Sequence, residues 1–308
     1  MHRTIHISLT PNSSDEVCRK LLVLETVISL SLSRGASLKP AGDVIMVDAL
    51  NRGTDEILKL VETAANGQPF SITTSESASL IDPSQAKTIR KDVDEANWEE
   101  IIIGLRHQAR ITTNFIWLMI AGGAISAVGL VSEPVPMMMA FAAAGIIAPG
   151  FEPIVAVPLG LIFKRGGIVW RGCLSLLAGY ATLVLSAALV IWILLAAGSI
   201  GKNELLSNSD IESIINPTLK EMIVSGCGAA AGIIITASYR RSVIAGALIA
   251  LILIPAAAIV GAGIAIGDAK LIFGGLMRLG IDILFVVGFG LFIFGFKQFF
   301  VHRRKPLI

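Results

Sequence analysis

Three shortages limit what this chain can be. Its 308 residues include only three cysteines, Cys18, Cys173 and Cys227, and their wide spacing matches no metal-binding motif. Charged residues make up only 16% of the chain, whereas hydrophobic residues make up 54%. The long apolar stretches in its second part far exceed what a soluble core needs. The composition therefore predicts a membrane protein without a bound metal.

The sequence also lacks the short motifs of several enzyme classes. No G-x-x-x-x-G-K-[ST] loop is present, which disfavours transport driven by ATP hydrolysis. Neither H-E-x-x-H nor G-x-S-x-G occurs, which disfavours a membrane enzyme acting on lipid. Residues 1–20 have no continuous apolar run, so a signal peptide is not predicted. We therefore expect a protein that is not an enzyme and that carries no cofactor.

Charge divides the chain near residue 105. Residues 1–105 contain 10 basic and 15 acidic side chains, whereas residues 106–308 contain 15 basic and 8 acidic ones. An acidic soluble part makes nucleic-acid binding unlikely as a function. The predicted domains are a soluble domain at 1–75, a linker with an amphipathic helix at 76–112, a membrane domain at 113–298 and a basic tail at 299–308.

The first domain has the pattern of a small α+β fold. Alternating β-rich segments are predicted to form strands at Arg3–Leu9, Val27–Ser33, Asp43–Leu50 and Phe70–Thr74. Helical patterns occupy residues 15–25 and 54–66 between them. The order β-α-β-β-α-β is that of ferredoxin-like folds, so a cytoplasmic ferredoxin-like domain is predicted.

The second part of the chain is predicted to be an all-α membrane domain of six spans. About 20 residues cross a hydrocarbon core of about 30 Å, and six apolar segments reach that length. The spans are Thr113–Val131, Val135–Phe163, Ile168–Ala197, Thr218–Ser238, Ser242–Gly267 and Leu271–Phe296. Three spans in each half would make any internal repeat an inverted one.

The distribution of basic residues predicts how the spans are oriented. Only Lys202, Lys220 and Lys270 fall on one side of the predicted spans. The other side collects Arg106, Arg110, Lys164, Arg165, Arg171, Arg240, Arg241, Lys297, Arg303, Arg304 and Lys305. Because cytoplasmic loops are enriched in basic residues, both termini are predicted to be cytoplasmic in a cell inner (plasma) membrane protein.

Two of the six apolar segments are interrupted at corresponding places. The second span is broken by Pro149, Gly150 and Pro153, and the fifth contains Pro255. Proline removes a backbone donor, and unsatisfied backbone groups persist in a membrane only where protein or a cavity covers them. Paired interruptions point to a transport site near the midplane, although kinks that serve only helix packing remain an alternative.

Three ionisable side chains lie within the apolar segments and complete the predicted site. Glu152 lies in the first break, and Arg278 and Asp282 are four residues apart on the sixth span, where they can pair. Charges within a membrane are costly and are functional candidates by default. In the functional interpretation Glu152 or Asp282 binds a proton or cation, and Arg278 is a counter-charge or an anion anchor. The structural alternatives are that Glu152 caps the broken helix or is held neutral by burial, and that the Arg278–Asp282 pair fixes helix packing or Arg278 extends to the outer membrane surface.

The membrane segments resemble a known family. The stretches MMMAFAAAGIIAPGFEPIVAVPLGLIFKR, GALIALILIPAAAIVGAGIAIGD and LIFGGLMRLGIDILF are similar to those of domain of unknown function 389, over roughly residues 113–298. The preceding β/α domain also looks like the cytoplasmic domain of one branch of that family. The resemblance implies a polytopic membrane protein of transporter-like or channel-like architecture and implies no substrate.

This chain departs from the family pattern at three positions. Glu152 stands where relatives commonly have glycine, Pro255 is followed by Ala256 rather than a second proline, and Asp282 falls where an amide is frequent. These differences imply a more charged central site than in the relatives.

Two functions are therefore predicted. The first is a transporter or channel for a small ion or polar solute, embedded in the lipid bilayer, with rows of small residues that favour a homo-oligomer. The alternative is a membrane sensor or assembly scaffold whose cytoplasmic domain binds a ligand or partner.

Overall fold

The computed structural model describes residues 2–93, 95–238 and 242–307, with only the backbone of residues 242–252. These residues form two compact units, 1–97 and 98–308, and each is described by itself.

Unit 1 is a four-stranded antiparallel sheet with two main helices. Its strands are β1 (Arg3–Leu9), β2 (Val27–Leu38), β3 (Ala41–Ala49) and β4 (Ser71–Glu76), and its helices are α1 (Pro11–Leu21), α2 (Thr54–Ala65) and the short α3 (Ala86–Ile89). The strands lie in the order β2-β3-β1-β4. The predicted order β-α-β-β-α-β is thus present, with β2 longer than expected because it extends through the hairpin with β3.

The core of unit 1 follows from the alternation of side chains along its strands. Ile5 and Ile7 of β1, together with Ile45 and Val47 of β3, are fully buried on one face of the sheet. Their neighbours in sequence point to the other face, as the period of two requires. The buried face packs with apolar residues of α1 and α2, including Val17, Leu21, Ile57 and Val61.

Unit 2 begins with α4 and consists mostly of long apolar helices, with the short polar helices α9 and α10 between two of them. Its elements are α4 (Trp98–Gln108), α5 (Thr113–Leu130), α6 (Pro134–Ile147), α7 (Glu152–Ile162), α8 (Gly166–Ala196), α9 (Lys202–Leu206), α10 (Ser209–Ile215), α11 (Leu219–Ala237), α12 (Ser242–Ile266) and α13 (Ala269–Lys297). A single π-helical turn, Gln298–His302, follows α13.

The described helices account for four to five candidate membrane spans. Helices α5, α8, α11 and α13 are each long and apolar enough to cross a bilayer, and the bent pair of α6 and α7 makes a fifth candidate. On α8, Trp170 and Trp192 are 69% and 58% exposed. They are separated by about 33 Å of helix, which matches aromatic side chains at the two membrane interfaces. These features indicate a membrane location.

The fifth predicted span, which corresponds to α12, is not included in this count. Of α12, the part with described side chains is Leu253–Ile266, which is too short to qualify alone. Arg240 and Arg241, which contribute to the predicted orientation, lie outside the described residues. The six-span arrangement therefore remains a prediction.

The two predicted breaks differ in the structure. The second span is interrupted between α6 and α7, whose axes are bent by 50°. The fifth span is not broken, because α12 continues from Ser242 to Ile266 with Pro255 inside it. The prediction of two broken helices is therefore wrong at Pro255. A single proline removes one backbone hydrogen bond, which a buried membrane helix can tolerate when its neighbours cover the freed carbonyl.

The helices that follow α7 and α12 make matching contacts at positions that differ by 103 in residue number. A Cβ atom added at Gly172 of α8 would lie 2.9 Å from the carbonyl oxygen of Pro153, and one added at Gly275 of α13 would lie 2.9 Å from that of Ala256. The glycines therefore allow close packing of α8 against α7 and of α13 against α12.

The turns between these helices match in the same way. A Cβ atom added at Gly160 would lie 2.9 Å from the backbone nitrogen of Val169. One added at Gly263 would lie 2.8 Å from the backbone nitrogen of Ile272. The turn residues Lys164 and Gly267 both have a positive φ, of 55° and 73°. These positions also differ by 103, so the two helical turns have the same local geometry.

Candidate functional site

The interruption between α6 and α7 places Glu152 inside unit 2. Residues 148–151 separate the two helices, and Glu152 is the first residue of α7, followed by Pro153 in its first turn. Proline suits this position because the first-turn amides have no partner within the helix. Pro149 and Gly150 lie in the interruption itself, as predicted.

The carboxyl group of Glu152 is buried and only partly satisfied. The residue is 8% exposed, and its carboxyl interacts with the backbone amides of Phe151 and of Glu152 itself. Its Oε2 atom has no hydrogen-bond partner among the residues that the structure describes. A buried polar atom without a partner is costly, so this atom is a candidate ligand-binding or proton-binding group.

Tyr180 of α8 covers the interruption and was not predicted from the sequence. Its hydroxyl group donates a long hydrogen bond of 3.4 Å to the carbonyl oxygen of Gly150. A Cβ atom added at Gly150 would lie 2.9 Å from that hydroxyl, so the glycine is needed for this close approach. Tyr180 is one of only two tyrosines in the chain, which is the signal that could have drawn attention to it.

Arg278 and Asp282 form the ion pair that their spacing on α13 predicts. The Nε atom of Arg278 lies 2.9 Å from Oδ2 of Asp282, and both side chains are buried. A second guanidinium nitrogen of Arg278 donates to the hydroxyl group of Ser225 on α11, another residue that sequence reasoning missed. Its NH1 atom has no hydrogen-bond partner in the described part of the chain.

Tyr180 connects these charged groups. It is within electrostatic range of the carboxyl groups of both Glu152 and Asp282. This is consistent with the helix packing, since α7 packs against both α8 and α13. Tyr180 thus contacts the interruption at Gly150 and lies in the same region of unit 2 as Glu152 and Asp282.

Pro255 is the predicted site residue that the structure places differently. It is buried in α12, which packs mainly against α8, α13, α6 and α11. Pro255 lies 103 residues after Glu152, the same offset as between the matching glycine contacts, but it supplies no polar side-chain group.

The remaining chemistry of unit 2 is limited. No group of three or more His, Cys, Asp or Glu side chains that could hold a metal ion occurs among the described residues. Within the apolar helices for which burial is described, the buried charged side chains are Glu152, Arg278 and Asp282. The arrangement can bind or move small charged species, with two carboxyl groups and one guanidinium.

Comparison with known proteins gives a family for this region. Residues 146–288 match the family described as Domain of unknown function (DUF389), which confirms the resemblance seen in the sequence. The match runs from the end of α6 into α13 and includes Glu152, Pro255, Arg278 and Asp282. Neither a curated protein nor a solved structure matches the chain.

Proposed function

We propose that this DUF389-domain protein is a secondary transporter or channel that moves a small ion or polar solute across a cell inner (plasma) membrane. The observation that carries the proposal is the interruption between α6 and α7, which holds the buried carboxyl group of Glu152 with one oxygen unpaired. An interrupted helix with a buried ionisable group near the middle of a bundle is the usual form of a transport site.

The proposal includes six spans arranged as two inverted halves. The first half would be α5, α6 with α7, and α8, and the second half α11, α12 and α13. In both, the first helix packs against the third, and the middle segment packs against the third. An odd number of spans per half inverts the second half in the membrane, and the contacts at a constant offset of 103 support a common origin.

Contacts between the halves also support a two-fold relation. A Cβ atom added at Gly261 of α12 would lie 2.8 Å from the Cβ of Ala187 on α8, and one added at Gly290 of α13 would lie 2.6 Å from Cγ of Pro158 on α7. Adding 103 to Pro158 and Ala187 gives the positions of Gly261 and Gly290. Each contact is therefore the counterpart of the other.

The different shapes of the two middle segments suggest how transport would proceed. The first is bent by 50°, whereas the second is continuous through Pro255. In an inverted-repeat transporter the two halves exchange conformations to expose a central site to each side in turn. In this mechanism α12 bends near Pro255 when α6 and α7 straighten, with both termini in the cytoplasm, as the basic residues predict.

The test of the proposal is reconstitution into liposomes with a broad screen of ion and solute flux. Wild-type protein is expected to give flux that Glu152→Gln and Asp282→Asn reduce. The exposed Glu133, just before α6, provides a matched control, and Glu133→Gln is expected to leave flux unchanged. Flux that is absent for every solute, or unchanged in both site variants, would contradict the proposal.

One observation favours the alternative of a membrane sensor or assembly scaffold. The chain passes from unit 1 directly into α4, whose first residue, Trp98, is fully buried. Its ring lies 5.0 Å from that of Phe163, just after α7, and 5.9 Å from that of Phe294 on α13. Trp98 therefore contacts the ends of both helices that carry the candidate charges.

In the alternative function, unit 1 is a cytoplasmic domain with a ferredoxin-like fold. A ligand bound to it would act on the membrane helices through α4. The two functions are distinguished by deleting residues 1–90 and measuring flux. Flux that persists in the truncated protein favours a transporter that unit 1 regulates. Wild-type protein that binds a partner through unit 1 and conducts nothing favours the sensor. Self-association as a homo-oligomer is a proposal common to both.

A further inference from the structure

Among the described side chains of the membrane helices, Glu152 has no ion-pair partner. Arg278 is paired with Asp282 at 2.9 Å, and this ion pair is neutral as a unit. Glu152 is the remaining buried charged side chain among the apolar helices whose burial is described. An ionised Glu152 would therefore add one uncompensated negative charge to an apolar interior.

The groups that face Glu152 cannot compensate for that charge. From α8 the titratable group near Glu152 is Tyr180, which is neutral, and on α13 Arg278 is already paired with Asp282. Helix α4 packs against the other end of α7, where Glu99 is already paired with Arg304. Helices α5 and α6 contain no charged residue.

The backbone supplies part of the missing charge but not enough. The amides of Phe151 and Glu152 at the start of α7 interact with the carboxyl group. A helix N-terminus stabilises an anion only modestly. Burying an isolated carboxylate costs more than these two amides return, so the balance favours a neutral carboxyl group. The unpaired Oε2 is then the atom that can hold the proton.

We propose that Glu152 is a proton-binding site and that its protonation and deprotonation couple transport to a proton gradient. The inference rests on the proposed transport function and names the proton as the coupling ion. The proton binds to Oε2 when the site is open to one side of the membrane and leaves from the same atom when it is open to the other. After the proton leaves, Glu152 is a carboxylate. Its negative charge is stabilised in the conformation in which water or a substrate reaches the interruption.

The second half of the domain offers a reason why only Glu152 has this role. At the equivalent place α12 has Pro255, which cannot hold a proton, and the carboxyl group of Asp282 is engaged by Arg278. Glu152 is thus the buried carboxyl group that can change its charge without breaking an ion pair.

The first experiment measures the protonation of Glu152 in the full-length protein. Infrared difference spectra across a pH titration report the carbonyl stretch of a protonated carboxyl group. Wild-type protein is expected to show a protonated buried carboxyl at neutral pH, and this band should vanish in Glu152→Gln and persist in Glu133→Gln. An identical band in Glu152→Gln and wild type would overturn the inference.

The second experiment measures proton movement in liposomes that contain a trapped pH-sensitive dye. An imposed solute or ion gradient is expected to move protons with wild-type protein, and Glu152→Gln is expected to reduce this movement to the level of empty liposomes. Glu152→Asp keeps a carboxyl group and is expected to retain a slower movement. Size-exclusion profiles of the variants establish that they fold.

The outcomes separate this inference from the proposed function. Solute flux that ignores the pH gradient, with an infrared band assigned to Glu152, would overturn proton coupling and leave the transporter in place. A protein that conducts neither protons nor any solute would overturn both, whatever the infrared band shows. Proton movement that Glu152→Gln does not reduce would overturn the role of this residue alone.

Discussion

The two groups of helices that we propose as halves of the membrane unit have matching contacts and different chemistry. Six buried positions on α8 recur 103 residues later on α13: Gly172, Ser175, Gly179, Leu183, Ala187 and Ile191 correspond to Gly275, Arg278, Asp282, Val286, Gly290 and Phe294. Apolar and glycine positions are largely matched. The charged pair of α13, however, stands where α8 has Ser175 and Gly179.

In the middle segments, the ionisable side chain belongs to the first half instead of the second. The first half has an interruption and Glu152, whereas the second half has a continuous helix and Pro255. Each half therefore contributes its ionisable groups from a different element, the middle segment in one and the third helix in the other. Two groups of helices can therefore have the same backbone packing while each contributes different ionisable side chains to the site.

The largest expected effect comes from removing one charge of the pair. Arg278→Ala leaves Asp282 buried without its partner and is expected to lower the free energy of unfolding by about 3–5 kcal/mol. At the equivalent position, Ser175→Ala removes one hydrogen bond to the carbonyl oxygen of Ala109, of 2.6 Å, and should cost about 1 kcal/mol. Denaturant unfolding in detergent micelles measures both.

The double variant Arg278→Met with Asp282→Leu is the control for this comparison. Replacing a buried ion pair by apolar side chains is often neutral, so stability should largely return. A single Arg278→Ala variant as stable as Ser175→Ala would show that the charged pair adds nothing to the packing of the second half.

An intermediate effect is expected at the matched glycines. Gly172→Ala and Gly275→Ala each place a Cβ 2.9 Å from a carbonyl oxygen, so something must shift in both cases. Such overpacking costs about 1–3 kcal/mol, and the two losses of stability should be similar. Thermal unfolding of the two variants in the same detergent tests whether the halves are packed alike.

Gly280→Ala provides the control, because nothing lies within 4 Å of an added Cβ at Gly280. It is expected to leave stability unchanged or to raise it by up to about 1 kcal/mol, as alanine replaces glycine in a helix. Sensitivity at Gly275 without sensitivity at Gly172 would break the proposed relation between the halves.

The smallest loss of stability is expected on removing the contact between α4 and the C-terminal segment that follows α13. Glu99 on α4 accepts two hydrogen bonds from Arg304, of 2.7 and 2.6 Å, and a third from the backbone N–H of Leu307. Burial alone would raise the pKa of Glu99, but these contacts outweigh it and lower the pKa below its ordinary value. The bonds fasten the C-terminal segment after α13 to α4.

The sign of the pH dependence follows from the lowered pKa. The contribution of Glu99 to stability is present above its unfolded pKa of about 4.3 and is lost as pH falls through the lower folded value. Glu99→Gln should therefore reduce the melting temperature at pH 7, and the gap to wild type should narrow in acid. A gap that stays constant down to the lowest pH at which the protein folds would contradict this account.

Much of the architecture could be predicted from local patterns. Alternating strands and helical stripes predicted the element order of unit 1, and the clustered Pro149, Gly150 and Pro153 predicted the interruption of the second span. Several helix-breaking residues within five positions leave too many backbone groups unpaired for a helix to continue. A lone Pro255 removes only one bond, and its effect depends on neighbours that the sequence does not show.

The candidate site was predicted in part for a similar reason. The spacing of Arg278 and Asp282 is enough to place them on one helix face, and their pairing follows. Tyr180 and Ser225 belong to other helices, so their approach to Gly150 and Arg278 depends on how the helices pack. No local pattern encodes a hydrogen bond between groups 30 or 53 residues apart.

The α+β unit and the set of apolar helices could be predicted from the sequence alone. Both follow from patterns of apolar side chains and backbone hydrogen bonds that extend over only a few residues. The sequence also determined that Glu152, Arg278 and Asp282 lie in apolar surroundings. The continuity of α12, the position of Tyr180 over the interruption and the glycine contacts that recur at an offset of 103 became visible only in the folded structure. These features depend on close helix packing, which is set by surfaces that the chain brings together only on folding.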